Sequence, residues 1–161
     1  MQVQTRGLAA AIVTLSSACA TPGMDVDVRK TGDFREIGYR SIAPGEAQPP
    51  EGYRRNPIPE ALEAKAWDVM KIHLVPGRWE FSDVEGTDLV VYFGRGGVPK
   101  DRADEIGEDT LVVDVFERET GERVWRGFAE GLATLDAENV EAAISRMMLQ
   151  FPRLPPRPVA Y

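Results

Sequence analysis

The sequence predicts an α+β domain in which two helices pack on one face of a largely antiparallel sheet of about four to five strands. Two kinds of pattern predict this fold. Short runs rich in β-branched and aromatic residues recur along the chain, and two segments place apolar residues at helical spacing. Their order is strand, helix, strand meander, helix. The 161 residues are enough for one domain.

The first half of the chain contains two strands and a helix. Residues 25–28 alternate polar with apolar side chains, which is typical of a half-buried strand, and a second extended piece is expected at 39–42. Residues 43–59 include five prolines, so we expect an irregular excursion over the surface. Asn56 and Pro57 resemble an N-cap followed by the first helical residue. The helix then has a stripe formed by Leu62, Ala66, Val69 and His73, and it should end by Pro76-Gly77.

The second half predicts three strands and a helix. The strand-forming runs are 88–93, 110–116 and 123–128, and the turn signal at 119–121 joins the last two into a hairpin. Asp136 can cap a final helix that ends at Pro152. Its apolar stripe consists of Val140, Ile144, Met147 and Phe151.

The N-terminal segment has the layout of an export signal. Arg6 precedes a short apolar run at 7–15, and small residues at 16–18 lead to Cys19, the only cysteine of the chain. The apolar run is too short to span a bilayer. Small residues followed by cysteine resemble the lipobox of bacterial lipoproteins, in which the thiol receives diacylglycerol and Cys19 becomes the first residue of the mature protein.

Two other interpretations of Cys19 stay open. Ser16 stands where the lipobox usually has leucine, and the sequence Ala18-Cys19-Ala20 also permits cleavage after Ala20 and soluble export. Alternatively, Cys19 is a small hydrophobic residue of an uncleaved helix. In the lipoprotein interpretation, Ala20 favours an outer-membrane anchor facing the periplasm, because this position lacks the aspartate associated with inner-membrane retention. A single cysteine excludes an internal disulfide.

Charge and motifs exclude several function classes. The net charge of −7, with basic residues interspersed among carboxylates, argues against nucleic-acid binding. The chain has no G-x-S-x-G, H-E-x-x-H, C-x-x-C or calcium-loop motif, so we expect no catalytic residues, no cofactor and no metal. His73, the one histidine, is interpreted as a structural residue near the end of its helix.

Two regions are candidates for function. The loop 94–109 opens with Gly94-Arg-Gly-Gly97 and lacks the G-K-[ST] of a nucleotide site. At its length it is either functional or disordered, and its carboxylates offer an alternative function as an envelope hydrolase or a cation- or ligand-binding enzyme. These carboxylates are Asp101, Asp104, Glu105, Glu108 and Asp109. Trp125 and Arg126, on opposite faces of a strand, are possible interaction residues, although Trp125 is better explained as a core residue.

Several segments together resemble the bacterial lipoproteins grouped as domain of unknown function 4136. The resemblance covers roughly residues 25–152, and the predicted hairpin, from Leu-Val-Val-Asp to Trp-Arg-Gly, is its most specific part. The matching segments are 25–27, 34–41, 88–91, 110–116, Thr120-Gly121, 124–127 and the final helix ending in Phe151-Pro152. The resemblance implies an envelope lipoprotein with an α+β domain and implies no activity.

The sequence therefore predicts four regions. Residues 1–18 are a lipoprotein-type signal, 19–24 a tether, 25–152 a single α+β domain and 153–161 a proline-rich tail. The predicted function is that of a lipid-anchored envelope protein which binds or scaffolds an unidentified envelope protein and is not an enzyme. Its membrane contact is expected through the lipid anchor.

Overall fold

The strands and helices form in the order that the sequence patterns indicate. A computed structural model describes residues 23–30, 38–45, 49–53, 56–96 and 110–154. Six strands and two helices lie in these ranges: β1 (Asp25–Lys30), β2 (Ser41–Pro44), α1 (Glu60–Leu74), β3 (Glu80–Phe81), β4 (Leu89–Arg95), β5 (Leu111–Glu117), β6 (Arg123–Glu130) and α2 (Ala137–Met148). The fold class, α+β, is confirmed.

The sheet differs from the predicted one. It is a mixed sheet of six strands in the order β1-β6-β5-β4-β2-β3, and not a largely antiparallel sheet of four to five strands. The pairings β1–β6, β6–β5 and β5–β4 are antiparallel, whereas β2 pairs in parallel with both β3 and β4. The prediction was wrong because α1 connects β2 to β3 and β4. A helical crossover of this kind brings the next strand back parallel to the strand before the helix. β3 has only two residues, too few to give a sequence pattern.

The predicted hairpin of β5 and β6 is confirmed. The two strands pair antiparallel across the turn that contains Gly121, which adopts a positive φ of 70°. Glycine adopts that backbone conformation at no steric cost. The pairing places Asp114 directly opposite Arg126, and its register shifts at Val115 and Phe116.

Helix α1 begins later than predicted. Its N-cap is Pro59, whose carbonyl accepts from the backbone N–H groups of Leu62 and Glu63. The start at Pro57 was wrong because the residue before a proline is driven out of the α conformation, so Pro59 delays the helix. Asn56 instead pairs with the end of β4: its carbonyl accepts from Arg95 N (2.8 Å), and its Nδ2 donates to the carbonyl of Gly96 (3.2 Å).

The predicted end of α1 and the Asp136 cap of α2 are confirmed, whereas α2 ends four residues before Pro152, so Phe151 of the predicted stripe lies past the helix. A short 3₁₀ turn at Val75–Gly77 follows α1, and α2 stops at Met148 before Pro152. Asp136 caps α2 by accepting from the backbone N–H of Asn139 at 2.9 Å, and this hydrogen bond holds the pKa of Asp136 below its usual value. Val140, Ile144 and Met147 of the predicted stripe are fully buried.

The two helices run in the same direction on one face of the sheet. Lys65 Nζ lies 2.5 Å from Glu141 Oε2, and the residues after the helices also meet. Trp79 Nε1 donates to the carbonyl of Pro152 (3.0 Å), and Leu154 N donates to the carbonyl of Gly77 (3.1 Å). Leu154 is buried in the main core, so the packed chain continues past Pro152. Within the described ranges, neither helix has the length and apolar character needed to cross a bilayer.

Candidate functional site on the second sheet face

The sheet face opposite the helices carries a small aromatic cluster. Side chains alternate along a strand, so β4 and β5 direct Val90, Tyr92 and Phe116 away from the main core. Tyr53, from the segment 49–53, packs against this cluster with its ring centroid 4.8 Å from that of Phe116 and 5.9 Å from that of Tyr92. Part of the proline-rich excursion therefore lies across the second sheet face.

A buried ion pair lies beside the aromatic cluster. Asp114 has no exposed surface, and Arg126 on the neighbouring strand has a side chain that is 12% exposed. Arg126 Nε donates to Asp114 Oδ1 at 2.6 Å, and its Nη2 donates to Oδ2 at 2.9 Å. This two-pronged geometry matches the planar guanidinium to the carboxylate. Arg123 Nε lies 3.7 Å from Oδ1 and adds positive charge.

Tyr53 joins the aromatic cluster to the buried ion pair. Its hydroxyl donates to Asp114 Oδ2 at 2.5 Å. Burial of the phenol, the negative charge of Asp114 and this hydrogen bond raise the pKa of Tyr53 far above its usual value. Tyr53 therefore stays protonated and acts as a donor, and both carboxylate oxygens of Asp114 are engaged. The arrangement fastens the segment 49–53 to the sheet and does not resemble an activated base or nucleophile.

Two shallow clefts adjoin this face at the β5–β6 turn. One, of about 410 Å³, is lined by Tyr39, Asp88 and the residues 117–119, and the other, of about 310 Å³, is lined by Pro49, Pro50, Tyr92, Phe116 and the same turn. The two clefts share Glu117, Arg118 and Glu119 of this turn. Shallow clefts of this kind can contact a partner or hold a small ligand weakly.

Asp88 organises the first cleft. Its Oδ2 accepts from Arg40 N (2.7 Å), Ser41 N (2.9 Å) and Ser41 Oγ (2.9 Å). Partial burial raises the pKa of the Asp88 carboxyl, but these hydrogen bonds outweigh that effect, and the pKa lies below its usual value. Asp88 therefore remains ionised and ties the start of β2 to the start of β4.

The two predicted interaction residues, Trp125 and Arg126, lie on opposite faces of the sheet, as expected for neighbours on a strand. Trp125 lies in the main core, fully buried, with its ring centroid 5.1 Å from that of Phe151. Its Nε1 has no hydrogen-bond partner among the described residues. Arg126 lies on the opposite face and is engaged by Asp114. His73 is half-buried in the last turn of α1, away from both clefts.

Other sequence candidates fall outside the described ranges. Cys19 and the carboxylates Asp101, Asp104, Glu105, Glu108 and Asp109 all belong to this group. Gly94 and Arg95 of the glycine-rich stretch are the last residues of β4. Within 23–30, 38–45, 49–53, 56–96 and 110–154, no three His, Cys, Asp or Glu side chains are grouped as a metal site requires.

Sequence reasoning missed Asp114, Tyr53 and Asp88. A signal for Asp114 was present, because it is the one charged residue inside the apolar run 111–116, and the predicted hairpin brings it near Arg126. Tyr53 and Asp88 gave no comparable signal. Their partners are 61 and 47 residues away in the chain, and only the folded topology brings them together.

Comparison with known proteins identifies the fold. No family model matches the sequence, and no curated protein matches it. Among solved structures, a DUF4136 family protein from Bacteroides thetaiotaomicron has a TM-score of 0.56 at 9% identity, over 80% of this chain and 95% of that one. A PDZ domain protein from Parabacteroides distasonis has a TM-score of 0.50 at 15% identity, and the match spans 81% of this chain and 37% of that protein.

A PelC dodecamer from Paraburkholderia phytofirmans has a TM-score of 0.49 at 11% identity, over 82% of this chain and 99% of that one. At these identities the likenesses concern the fold alone. The chain therefore has a fold similar to that of a DUF4136 family protein.

Proposed function

We propose that this chain is a lipoprotein of the DUF4136 type, anchored through Cys19 in the outer membrane and facing the periplasm, where it binds or scaffolds another envelope protein. The observation that carries the proposal is the N-terminal layout: a short apolar run, small residues and the one cysteine of the chain. The first strand begins at Asp25, six residues after Cys19. The folded domain thus starts directly after the proposed attachment point.

The fold supports the family assignment. The segments 110–116 and 124–127, which resemble that family most specifically, lie on the paired interior strands β5 and β6 of the sheet. The structural likeness to a DUF4136 family protein extends over 95% of that protein. Family membership accounts for both the sequence resemblance and the shared fold.

The second sheet face favours binding over catalysis. Among the described residues, Asp114 is the one fully buried carboxylate on this face. Its hydrogen bonds to Arg126 and Tyr53 attach the segment 49–53 to the sheet. The clefts at the β5–β6 turn are shallow and lined by Glu117, Arg118 and Glu119, which suit contact with a polar protein surface. Of the two residues predicted for interaction, Arg126 is the one on this face.

Metabolic labelling tests the proposal. Cells that express the full chain are fed a labelled fatty acid, and the protein is isolated from the membrane fraction. The wild-type protein should carry the label, and Cys19→Ser should abolish it, because the thiol is the site of diacylglycerol attachment. Ser16→Ala, which leaves the cysteine in place, is the matched control and should retain the label. A Cys19→Ser variant that keeps the label would rule the proposal out.

A further inference from the structure

Strand β1 forms one open edge of the sheet. It is the terminal strand in the order β1-β6-β5-β4-β2-β3, and among the described residues it pairs with β6 alone. The strand at the other edge, β3, has two residues, whereas β1 has six and contains no proline. An edge of this length presents backbone donors and acceptors to which a strand of another chain can bond. Within the described ranges, β1 is therefore the longer edge at which a further strand can be added.

The backbone of Val28 shows which groups face this edge. Its N–H donates to the exposed carboxylate of its neighbour, Asp27 Oδ1, at 2.8 Å. An N–H that bonds a side chain of its own strand points away from β6. Successive residues of a strand direct their backbone groups to alternate sides. Val26, Val28 and Lys30 therefore present their N–H and C=O groups on the outer edge.

The charges of β1 are ordered along the strand. Asp25 and Asp27 lie in its first half, Arg29 and Lys30 lie at its end, and all four are exposed. Arg29 Nε lies 3.8 Å from Asp27 Oδ2, and its guanidinium lies 5.0 Å from the centroid of the Phe128 ring. A strand with an acidic start and a basic end is complementary to a second copy that runs in the opposite direction. A parallel copy would place like charges opposite each other, which is destabilising.

The neighbouring strand repeats this polarity. Asp25 lies opposite Glu130 of β6, and Arg29 lies opposite Arg126. Like charges directly opposite each other on two strands are destabilising. Arg126 is engaged by Asp114 at 2.6 Å, which offsets part of this repulsion at the basic end. An added strand of reversed polarity would bring opposite charges to both ends of β1.

Backbone and charge select one register for a second copy. Outward-facing residues must lie opposite outward-facing residues, so the two-fold axis of an antiparallel pair passes through one residue of β1. When that residue is Val28, Asp27 of each copy lies opposite Arg29 of the other, and no like charges are opposite each other. Registers centred on any other residue from 26 to 30 place carboxylate opposite carboxylate or cation opposite cation. The Val28 register is thus the complementary one.

We propose that two copies of this chain pair antiparallel through the outer edges of their β1 strands, in the register centred on Val28, and so join their sheets into one. The Val28 N–H then donates to the carbonyl of Val28 in the second copy, and Asp27 is released to pair with Arg29 of that copy. Around the two-fold axis, these four charged side chains alternate in sign. The pairing concerns the folded domain and does not depend on the anchor at Cys19.

Co-capture of two tagged versions tests the pairing. Full-length chains with different C-terminal tags are expressed in the same cells, extracted in detergent and captured through one tag, and the other tag is quantified. Wild type should capture wild type. Asp27→Arg and Arg29→Asp should each capture themselves several-fold less, because each places like charges opposite each other. Glu85→Arg, exposed in the turn 84–86 away from β1, is the matched control and should capture itself as wild type does.

Mixing the two variants provides the decisive comparison. Asp27→Arg expressed together with Arg29→Asp should restore capture, since each altered strand then faces opposite charges in the other. The double variant Asp27→Arg, Arg29→Asp inverts both charges and should also capture itself. Wild type that does not capture wild type would overturn the pairing. Equal capture by every version would also overturn it, by assigning self-association to another surface. A loss that neither the mixture nor the double variant restores would overturn the Val28 register.

Discussion

Asp114 illustrates how a single charged residue can be kept inside an apolar sheet. It is fully buried, so its charge requires partners that replace water, and Arg126 and Tyr53 supply three hydrogen bonds. The partners come from β6 and from the segment 49–53. The Asp114 carboxylate thus links the β5–β6 hairpin to the segment 49–53. Because an unpaired buried carboxylate strongly destabilises a fold, other placements of this segment are disfavoured.

Removal of Arg126 should therefore destabilise the domain strongly. Arg126→Ala leaves the buried carboxylate of Asp114 without its main partner and should lower the free energy of unfolding by about 3 kcal/mol or more. Arg123→Ala is the control, because Arg123 lies 3.7 Å from Asp114 with a side chain that is 36% exposed, and it should cost at most about 1 kcal/mol. Urea unfolding followed by tryptophan fluorescence measures both. Equal losses would contradict the assigned pairing.

Asp88 should contribute to the acid sensitivity of the fold. Because its pKa is lowered in the folded state, the folded protein binds fewer protons than the unfolded chain, and stability falls as the pH falls through that folded-state pKa. Asp88→Asn should be less stable than wild type at neutral pH, and the difference should shrink as the pH falls through the acid range below the usual aspartate pKa. Unfolding free energies measured across this range provide the test, and a difference that is independent of pH would contradict it.

Helix α2 packs closely on β6 because Gly127, on the face of the strand that the helix covers, has no side chain. A Cβ added at Gly127 would lie 2.5 Å from the ring of Trp125 and 3.0 Å from the sulfur of Met147. Trp125, on β6, and Met147, on α2, are both fully buried between the helix and the sheet. Gly127 therefore sets the distance between α2 and the sheet.

A methyl group at this position should disturb the packing of α2. Gly127→Ala should lower the free energy of unfolding by about 1–3 kcal/mol, since neither neighbour can move without displacing the core. Gly86→Ala is the matched control: a Cβ there meets no atom within 4 Å, and its effect should be small. Thermal unfolding followed by circular dichroism compares the two variants. A neutral Gly127→Ala would show that α2 can shift away from the sheet.

At the scale of the whole molecule, local patterns predicted the elements, and distant contacts decided their arrangement. The stripe of α2, its Asp136 cap and the β5–β6 hairpin depend on residues close in sequence. The parallel pairing of β2 with β4, in contrast, joins Ile42 to Leu89 across α1, and no local pattern encodes it. The same holds for the candidate site. Arg126 could be predicted from the alternation of side chains along its strand, whereas Tyr53 reaches the site only through its hydrogen bond to Asp114, 61 residues away in the chain.

The intact mass of the mature protein tests the central claim, lipid anchoring at Cys19, most directly. The protein is purified from the envelope of the cells that produce it, and its mass is determined together with that of its N-terminal peptide. Lipidation predicts a chain that begins at Cys19 and carries the added mass of a diacylglycerol and, as is usual, an amide-linked acyl chain. A mature chain that begins at Thr21 without lipid, or one that retains residues 1–18, would contradict it.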